Sequence, residues 1–357
     1  MKKFTLAMIS ACLAVCMLFS GCAQAVQLQF SNAFNAGTAP STYSETLKYS
    51  VTLKTDYENG TIKQGEGLDK IGLSYDGEYT TTLIVSDSSS LPEDIKNSTD
   101  VFSAVNYEGV IYHITSSLTL NVSFNGKDGV MGTPEQPILD TIYSEYYFLE
   151  GGGNSFAPVY SSVKSKNTYI SVVSEEEKVF AQPLVYDAEY TTVYNHKNYT
   201  VKKNVFAYEI GKTRTEALSS SNEENSYNYS FKTLIDNEGL LFCLRNVTLE
   251  LDGTLSIPTV APQYGSATTL NVTNIAEEQK TCNISYNGQD AVEEQLNVRK
   301  FSFIKNSNDT SGSAQYVTVS KSDTTKKAYV LEYAAPLSVS SVLSSFGALV
   351  YTLKSVN

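Results

Sequence analysis

Leu118-Thr119-Leu120-Asn121-Val122-Ser123-Phe124-Asn125-Gly126 is the stretch that decides the fold class. Large apolar residues take every second position. Side chains of an extended strand point alternately to opposite faces, so the segment reads as a strand with one apolar and one polar face. It closes on Asn-Gly, a pair that adopts the positive φ angles of a tight hairpin turn. The pattern recurs outward in both directions. Leu47, Tyr49, Val51 and Leu53 alternate with Lys48, Ser50 and Thr52. Ile71, Leu73 and Tyr75 lead into Asp76-Gly77, with Tyr79, Thr81, Leu83 and Val85 beyond, which predicts a hairpin turning at 76–77. Val247, Leu249 and Leu251 lead into Asp252-Gly253, with Leu255 and Ile257 beyond, and Cys282, Ile284 and Tyr286 lead into Asn287-Gly288. Tyr227, Tyr229 and Phe231 form another stripe, and Leu349, Tyr351 and Leu353 close the chain.

Helical patterns are scarce. Ser90-Leu91-Pro92-Glu93-Asp94 predicts a short helix with Ser90 as its cap, and Leu337 to Phe346 a turn or two ended by Gly347. The fold class is therefore mainly β: antiparallel sheets, in two curved-sheet, half-barrel or sandwich-like units with few short helices. Gly151-Gly152-Gly153-Asn154-Ser155 predicts a loop, and the charge cluster Glu175-Glu176-Glu177-Lys178 marks a boundary near 175. The expected layout is a β-rich first domain over 43–175 and a β-rich second domain over 176–357. The likeness of Leu118–Gly126 to Val247–Gly253, each followed by Ala-Pro-x-Tyr, hints at a duplication.

The N-terminus carries an address. Met1-Lys2-Lys3 is a short positive segment, and Phe4 to Phe19 an apolar run too short to span a bilayer, which needs roughly 20 residues. The run ends in Phe19-Ser20-Gly21-Cys22. Over residues 1–22 the chain resembles bacterial lipoprotein signal peptides, in which a large apolar residue and two small ones precede an invariant cysteine; the usual Leu three before that cysteine is Phe19 here. The resemblance implies cleavage after Gly21, lipid on the Cys22 thiol, and anchoring on the extracytoplasmic face of the cell membrane. Residues 1–21 are then the signal and 22–42, poor in large apolar side chains, a lipidated tether. Two or more acyl chains anchor stably where one does not.

Composition narrows the partners. The formal net charge is −12, and loss of Lys2 and Lys3 with the signal makes it two units more negative. Such a chain is repelled by nucleic acid and by anionic head groups. With Cys12 and Cys16 in the signal and Cys22 as anchor, Cys243 and Cys282 remain, placed either to form one disulfide outside the membrane or to serve as small buried apolar residues.

No catalytic constellation stands out. His113 sits within Ile111-Tyr112-His113-Ile114 and reads as a structural strand residue, and His196 lies in a predicted turn. The chain has no Gly-x-Ser-x-Gly, His-Glu-x-x-His, phosphate-binding glycine loop or, after Cys22, Cys-x-x-Cys. Asp236-Asn237-Glu238-Gly239 lacks the ligand spacing of a calcium loop. No metal and no cofactor is expected. Tyr143, Tyr146, Tyr147, Phe148 and Phe156 are the most suggestive cluster: they either line an apolar groove that shields acyl chains or grips a polymer, or are ordinary strand aromatics on half-buried surfaces. The sequence-level expectation is a non-enzymatic, lipid-anchored binding or carrier module for a hydrophobic small molecule or lipid. The long run of strands after the signal resembles, as an analogy of fold only, the half-barrels of lipoprotein carriers. The alternative is an envelope-structural or adhesive lipoprotein that binds wall polymer or a protein partner.

Overall fold

A computed structural model describes residues 42–54, 71–87, 89, 91, 93–96, 110–151, 155–175, 178–194, 198–228, 235–236, 242, 244–260, 268–305, 315–322, 327–338 and 345–357. The signal and all but the last residue of the tether lie outside them. Among the described residues sixteen strands follow one another: β1 (Tyr43–Lys54), β2 (Ser74–Asp87), β3 (Val110–Gly126), β4 (Gly129–Met131), β5 (Ile138–Gly151), β6 (Ser155–Glu175), β7 (Lys178–Tyr194), β8 (Asn198–Tyr208) and β9 (Ser219–Asn228) in the first part. The second part holds β10 (Ile235–Asp236), β11 (Thr254–Val260), β12 (Thr268–Tyr286), β13 (Val292–Lys305), β14 (Gln315–Ser320), β15 (Val330–Ser338) and β16 (Ser345–Val356). A four-residue helix, α1 (Glu93–Lys96), stands where a short helix is expected.

All sixteen strands belong to one sheet, in the order β10-β11-β12-β13-β14-β15-β16-β1-β2-β3-β5-β6-β7-β8-β9, with β4 on β3. Neighbours pair antiparallel along most of this path, as the half-polar patterning requires. The sheet curls at both ends. β12 meets β16 in a short parallel pairing at Ser285–Ser355 and Tyr286–Val356, and β3 meets β7 at Gly126–Ala181. β1 pairs with β16 on one side and β2 on the other, so the two curls are joined by a shared central wall rather than by a linker. The boundary expected near 175 falls at the connection between β6 and β7, which pair from Tyr160–Val193 to Glu175–Lys178.

One face of the central strands feeds two cores. Leu83 and Val85 of β2, with Tyr112 and Ile114 of β3, join Phe301, Val317 and Leu353 in the larger core. Leu73, just before β2, and Tyr75 of β2, with Leu118, Leu120, Val122 and Phe124 of β3, join Ile170 and Ala181 in the smaller one. Each pair of groups lies on the same face of its strand, two residues apart or a multiple of two, so strand length alone separates the cores. Between them runs a line of small polar residues, Thr81, Ser116 and Ser144, opposite one another in register and all buried. Tyr79 spans this seam, packing on both cores, donating from its hydroxyl to Ser116 Oγ at 3.1 Å and meeting Tyr351 edge-on at 5.5 Å.

Turn chemistry holds at Asn287-Gly288, is displaced by two residues at Asn125-Gly126 and fails at Asp76-Gly77. Asn287 and Gly288 have φ of 52° and 72°, and Gln289 N–H donates to Tyr286 O at 3.0 Å, closing the β12–β13 hairpin. Asn125-Gly126 ends β3, with the turn at the next two residues, since Gly126 pairs with Gly129. Asp76-Gly77 is no turn: β2 runs through it, paired with β1 and β3. Val247 and Leu249 are buried alternately as expected, but residues 247–250 form no ladder. The helix expected over Leu337 to Phe346 is replaced by the end of β15 and the start of β16, with Ser338 opposite Ser345; residues 339–344 lie outside the described set. Tyr227 lies in β9, whereas Tyr229 and Phe231 are outside the described residues.

Candidate functional site

The aromatic stretch singled out in sequence does not form one surface, because strand alternation divides it. Tyr146 and Phe148 of β5 are buried in the larger core. Tyr147 points the other way, into a small cluster with Leu91, Ile95, Ile111 and Val159. Tyr143 is about half exposed, and Phe156 sits in β6 with its side chain outside the described set. Tyr147 also stacks on His113, centroids 4.2 Å apart and planes within 5°, as expected of residues directly opposite in β3 and β5. Glu145 Oε1 accepts from the Tyr147 hydroxyl at 2.9 Å and lies 2.9 Å from His113 Nε2. Burial holds the His113 imidazole below its ordinary pKa, against the pull of Glu145. This polar clasp ties β3 to β5.

A different place gathers exposed apolar surface. The β6–β7 hairpin is apolar on both faces. Ile170 and Ala181 face the smaller core, and the alternate residues Tyr169, Ser171 and Val173 of β6 lie opposite Leu184, Gln182 and Phe180 of β7 on the outer face. This outer face is the floor of an open groove of about 900 Å³. The β3–β4 turn walls one side with Lys127, Asp128, Val130 and Met131, and the segment after β8 supplies Glu209, Ile210 and Leu218. Val130, Tyr169, Tyr186 and Leu218, exposed by 63, 42, 38 and 66%, all line it. Tyr169 and Tyr186 meet edge-on at 5.5 Å, presenting two ring surfaces at one end. At the other, Lys127 Nζ reaches Glu175 Oε2 at 2.9 Å and lies 5.6 Å from the centre of the Phe180 ring, joining wall to floor. Scattered exposed apolar residues are ordinary, and the gathering of four on one concavity makes this groove the candidate site among the described residues.

Two other polar sites have structural explanations. Arg245, on a 3-10 turn at Leu244–Asn246, is fully buried against Glu45 of β1, with Nη1 2.5 Å from Oε1. Its guanidinium carbon lies 4.7 and 5.4 Å from the ring centres of Phe242 and Tyr329, and the Tyr43 hydroxyl donates to Glu45 Oε2 at 2.7 Å. A smaller polar cavity of about 370 Å³ opens beside this pair, lined in part by Glu45, Glu294 and Lys327. Asp140 of β5 is buried, and desolvation pushes its carboxyl up to about 6, although Thr168 N–H donates to Oδ1 at 2.7 Å. Neither converges with the groove.

Cys282 of β12 is a free, half-buried thiol whose pKa burial raises; Cys243, the partner expected of it, lies outside the described residues, as do Gly21 and Cys22. Among the described residues no three His, Cys, Asp or Glu side chains group as metal ligands do, and no helix is long and apolar enough to cross a membrane. No family model, curated protein or solved structure matches the chain.

Proposed function

We propose that this chain is a lipid-anchored binding protein on the extracytoplasmic face of a bacterial cell membrane, which holds a ligand with an apolar face in the β6–β7 groove and does no chemistry on it. The observation that carries the reading is the convergence of Val130, Tyr169, Tyr186 and Leu218 on one concavity. A hydrophobic small molecule or a lipid tail laid along the floor covers these side chains. The adhesive alternative gains from the groove being a surface feature, since the buried apolar side chains of the described residues pack into cores within the curled sheet. An open groove admits a segment of a longer molecule. The anchor rests on Phe19-Ser20-Gly21-Cys22.

Two expected outcomes test the reading. In a bacterial host the full chain incorporates labelled palmitate and sediments with membranes, whereas Cys22→Ser is unlabelled and soluble. Continued labelling of Cys22→Ser would overturn the anchor. For the groove, the soluble chain from residue 23 raises the emission of an apolar naphthylamine probe, and Tyr169→Ser combined with Leu218→Ser weakens probe binding at least about tenfold. Covering one large apolar side chain contributes about 1.5 kcal/mol, and tenfold corresponds to about 1.4. Both residues are exposed, so the melting temperature stays put. Equal probe affinity in the double variant would remove the groove from consideration.

A further inference from the structure

We infer that the groove takes a cationic, amphipathic peptide segment in extended conformation; this rests on the groove being the binding site. The argument is charge set against apolar floor. Among the described residues the charged side chains lining the groove are Asp128, Glu175 and Glu209 against Lys127, and the Lys127 ammonium is already held at 2.9 Å by Glu175. A fatty acid, an anionic phospholipid or a phosphate-rich polymer would bring negative charge against these carboxylates with no unengaged cation among the described lining residues to receive it. A neutral lipid would cover the floor while stripping water from the rim acids and returning nothing, which costs free energy.

A basic amphipathic strand meets both requirements. Its side chains alternate, so apolar ones lie on Val173, Phe180 and Leu184 while Lys or Arg on the other face reach outward to the rim carboxylates. Long basic side chains also cover apolar surface with their stems while keeping the charge in water. At the Tyr169–Tyr186 end an ammonium or guanidinium lies over a ring face, an attraction that an anion lacks. From Tyr169 to Glu175 the floor spans six steps of extended chain, roughly 20 Å, enough for a peptide of about six residues. The formal charge of −12 on the whole chain adds long-range attraction for the same ligand.

The test uses the soluble chain from residue 23 and three labelled probes: a nonapeptide alternating Lys with Val and Leu, its counterpart with Glu for Lys, and a neutral chitooligosaccharide. Fluorescence anisotropy is expected to show binding of the basic peptide, at least about a hundredfold weaker binding of the acidic one, and none of the sugar. Asp128→Asn with Glu175→Gln and Glu209→Gln weakens the basic peptide at least tenfold, and so does Tyr169→Ser with Leu218→Ser. If the acidic peptide or the sugar binds as tightly as the basic one, or the neutralised variant keeps full affinity while the apolar variant loses it, the groove stands and the cationic ligand is wrong. If the apolar variant keeps full affinity for the basic peptide, the peptide is merely attracted to an acidic surface and the groove reading itself falls.

Discussion

Arg245→Met is expected to lower the stability of the soluble chain by about 3–5 kcal/mol, the range for removing one partner of a buried ion pair. Arg245 and Glu45 are both almost inaccessible to solvent, with side-chain exposures of 1 and 3%. Burial works against the guanidinium charge, and the Glu45 carboxylate together with the neighbouring Tyr49 and Tyr43 outweighs it, so the arginine is held above its ordinary pKa. The pair is imperfectly served: Arg245 Nε and Nη2 meet no hydrogen-bond acceptor among the described residues, and the Nη1 contact with Glu45 is a charge contact without hydrogen-bond alignment. Truncation therefore loses little hydrogen bonding from the arginine itself. The loss comes from leaving a buried carboxylate beside the larger core with the Tyr43 hydroxyl as its remaining partner among the described residues.

That mechanism separates the single from the double variant. Glu45→Gln with Arg245→Met removes both charges, and methionine fills the slot between Phe242 and Tyr329 with an unbranched apolar chain. The double variant is expected to recover at least half of the loss, because the desolvation cost of the pair disappears with its attraction. Urea unfolding of the two variants and the parent decides it. A double variant as unstable as Arg245→Met alone would mean that the arginine acts through packing rather than charge. The pair matters to the architecture because it pins the Leu244–Asn246 turn, which has no ladder of its own, onto β1 of the shared central wall.

The sequence was legible wherever the determining pattern is local. The alternation from Leu118 to Phe124 places all four apolar residues in one core, and Asn287-Gly288 turns as its residue types require. Division into two units was harder to read, because β2 and β3 are long enough to serve two cores with one face and no composition change marks the seam beyond the small residues Thr81, Ser116 and Ser144. The aromatic stretch misled for a related reason. Proximity in sequence is not proximity on a strand, since neighbours such as Tyr146 and Tyr147 face opposite ways. The groove is assembled from the β3–β4 turn, β6, β7 and the segment before β9, and no periodicity within one segment announces such a convergence. One signal was present: Tyr169-Ile170-Ser171-Val172-Val173 carries large apolar residues on both parities, which marks a strand with something to cover on each side. Arg245, the one charge between Leu240 and Val247 in a largely apolar run, was another, since a charge there is either exposed by a turn or buried with a partner.

Asp76-Gly77 leads to the second large effect. The dipeptide carries the residue types of a hairpin turn, yet Gly77 lies in mid-strand, opposite Val51 on one side and Leu120 on the other. Its φ is not among the positive ones, so glycine is not required there for backbone conformation. It is required for space: a Cβ at this position would lie 2.0 Å from Thr119 O and 2.9 Å from Leu120 Cα. Both are backbone atoms of β3, held from the other side by β5, so neither can swing away as the end of a flexible side chain does. Gly77→Ala is therefore expected to cost about 3 kcal/mol, the upper part of the overpacking range, even though alanine is the better strand residue by roughly 0.5–1 kcal/mol in chain entropy. Gly288→Ala gives the contrast. A Cβ there meets nothing within 4 Å, and the penalty comes only from its φ of +72°, about 1–2 kcal/mol. Because Gly77 abuts the smaller core under the groove hairpin, exchange protection of β2 and β3 amides near 77 and 120 should fall in Gly77→Ala and stay unchanged in Gly288→Ala. Equal unfolding midpoints for the two variants would show that the sheet relaxes around the added methyl, and that close approach is not what glycine supplies at position 77.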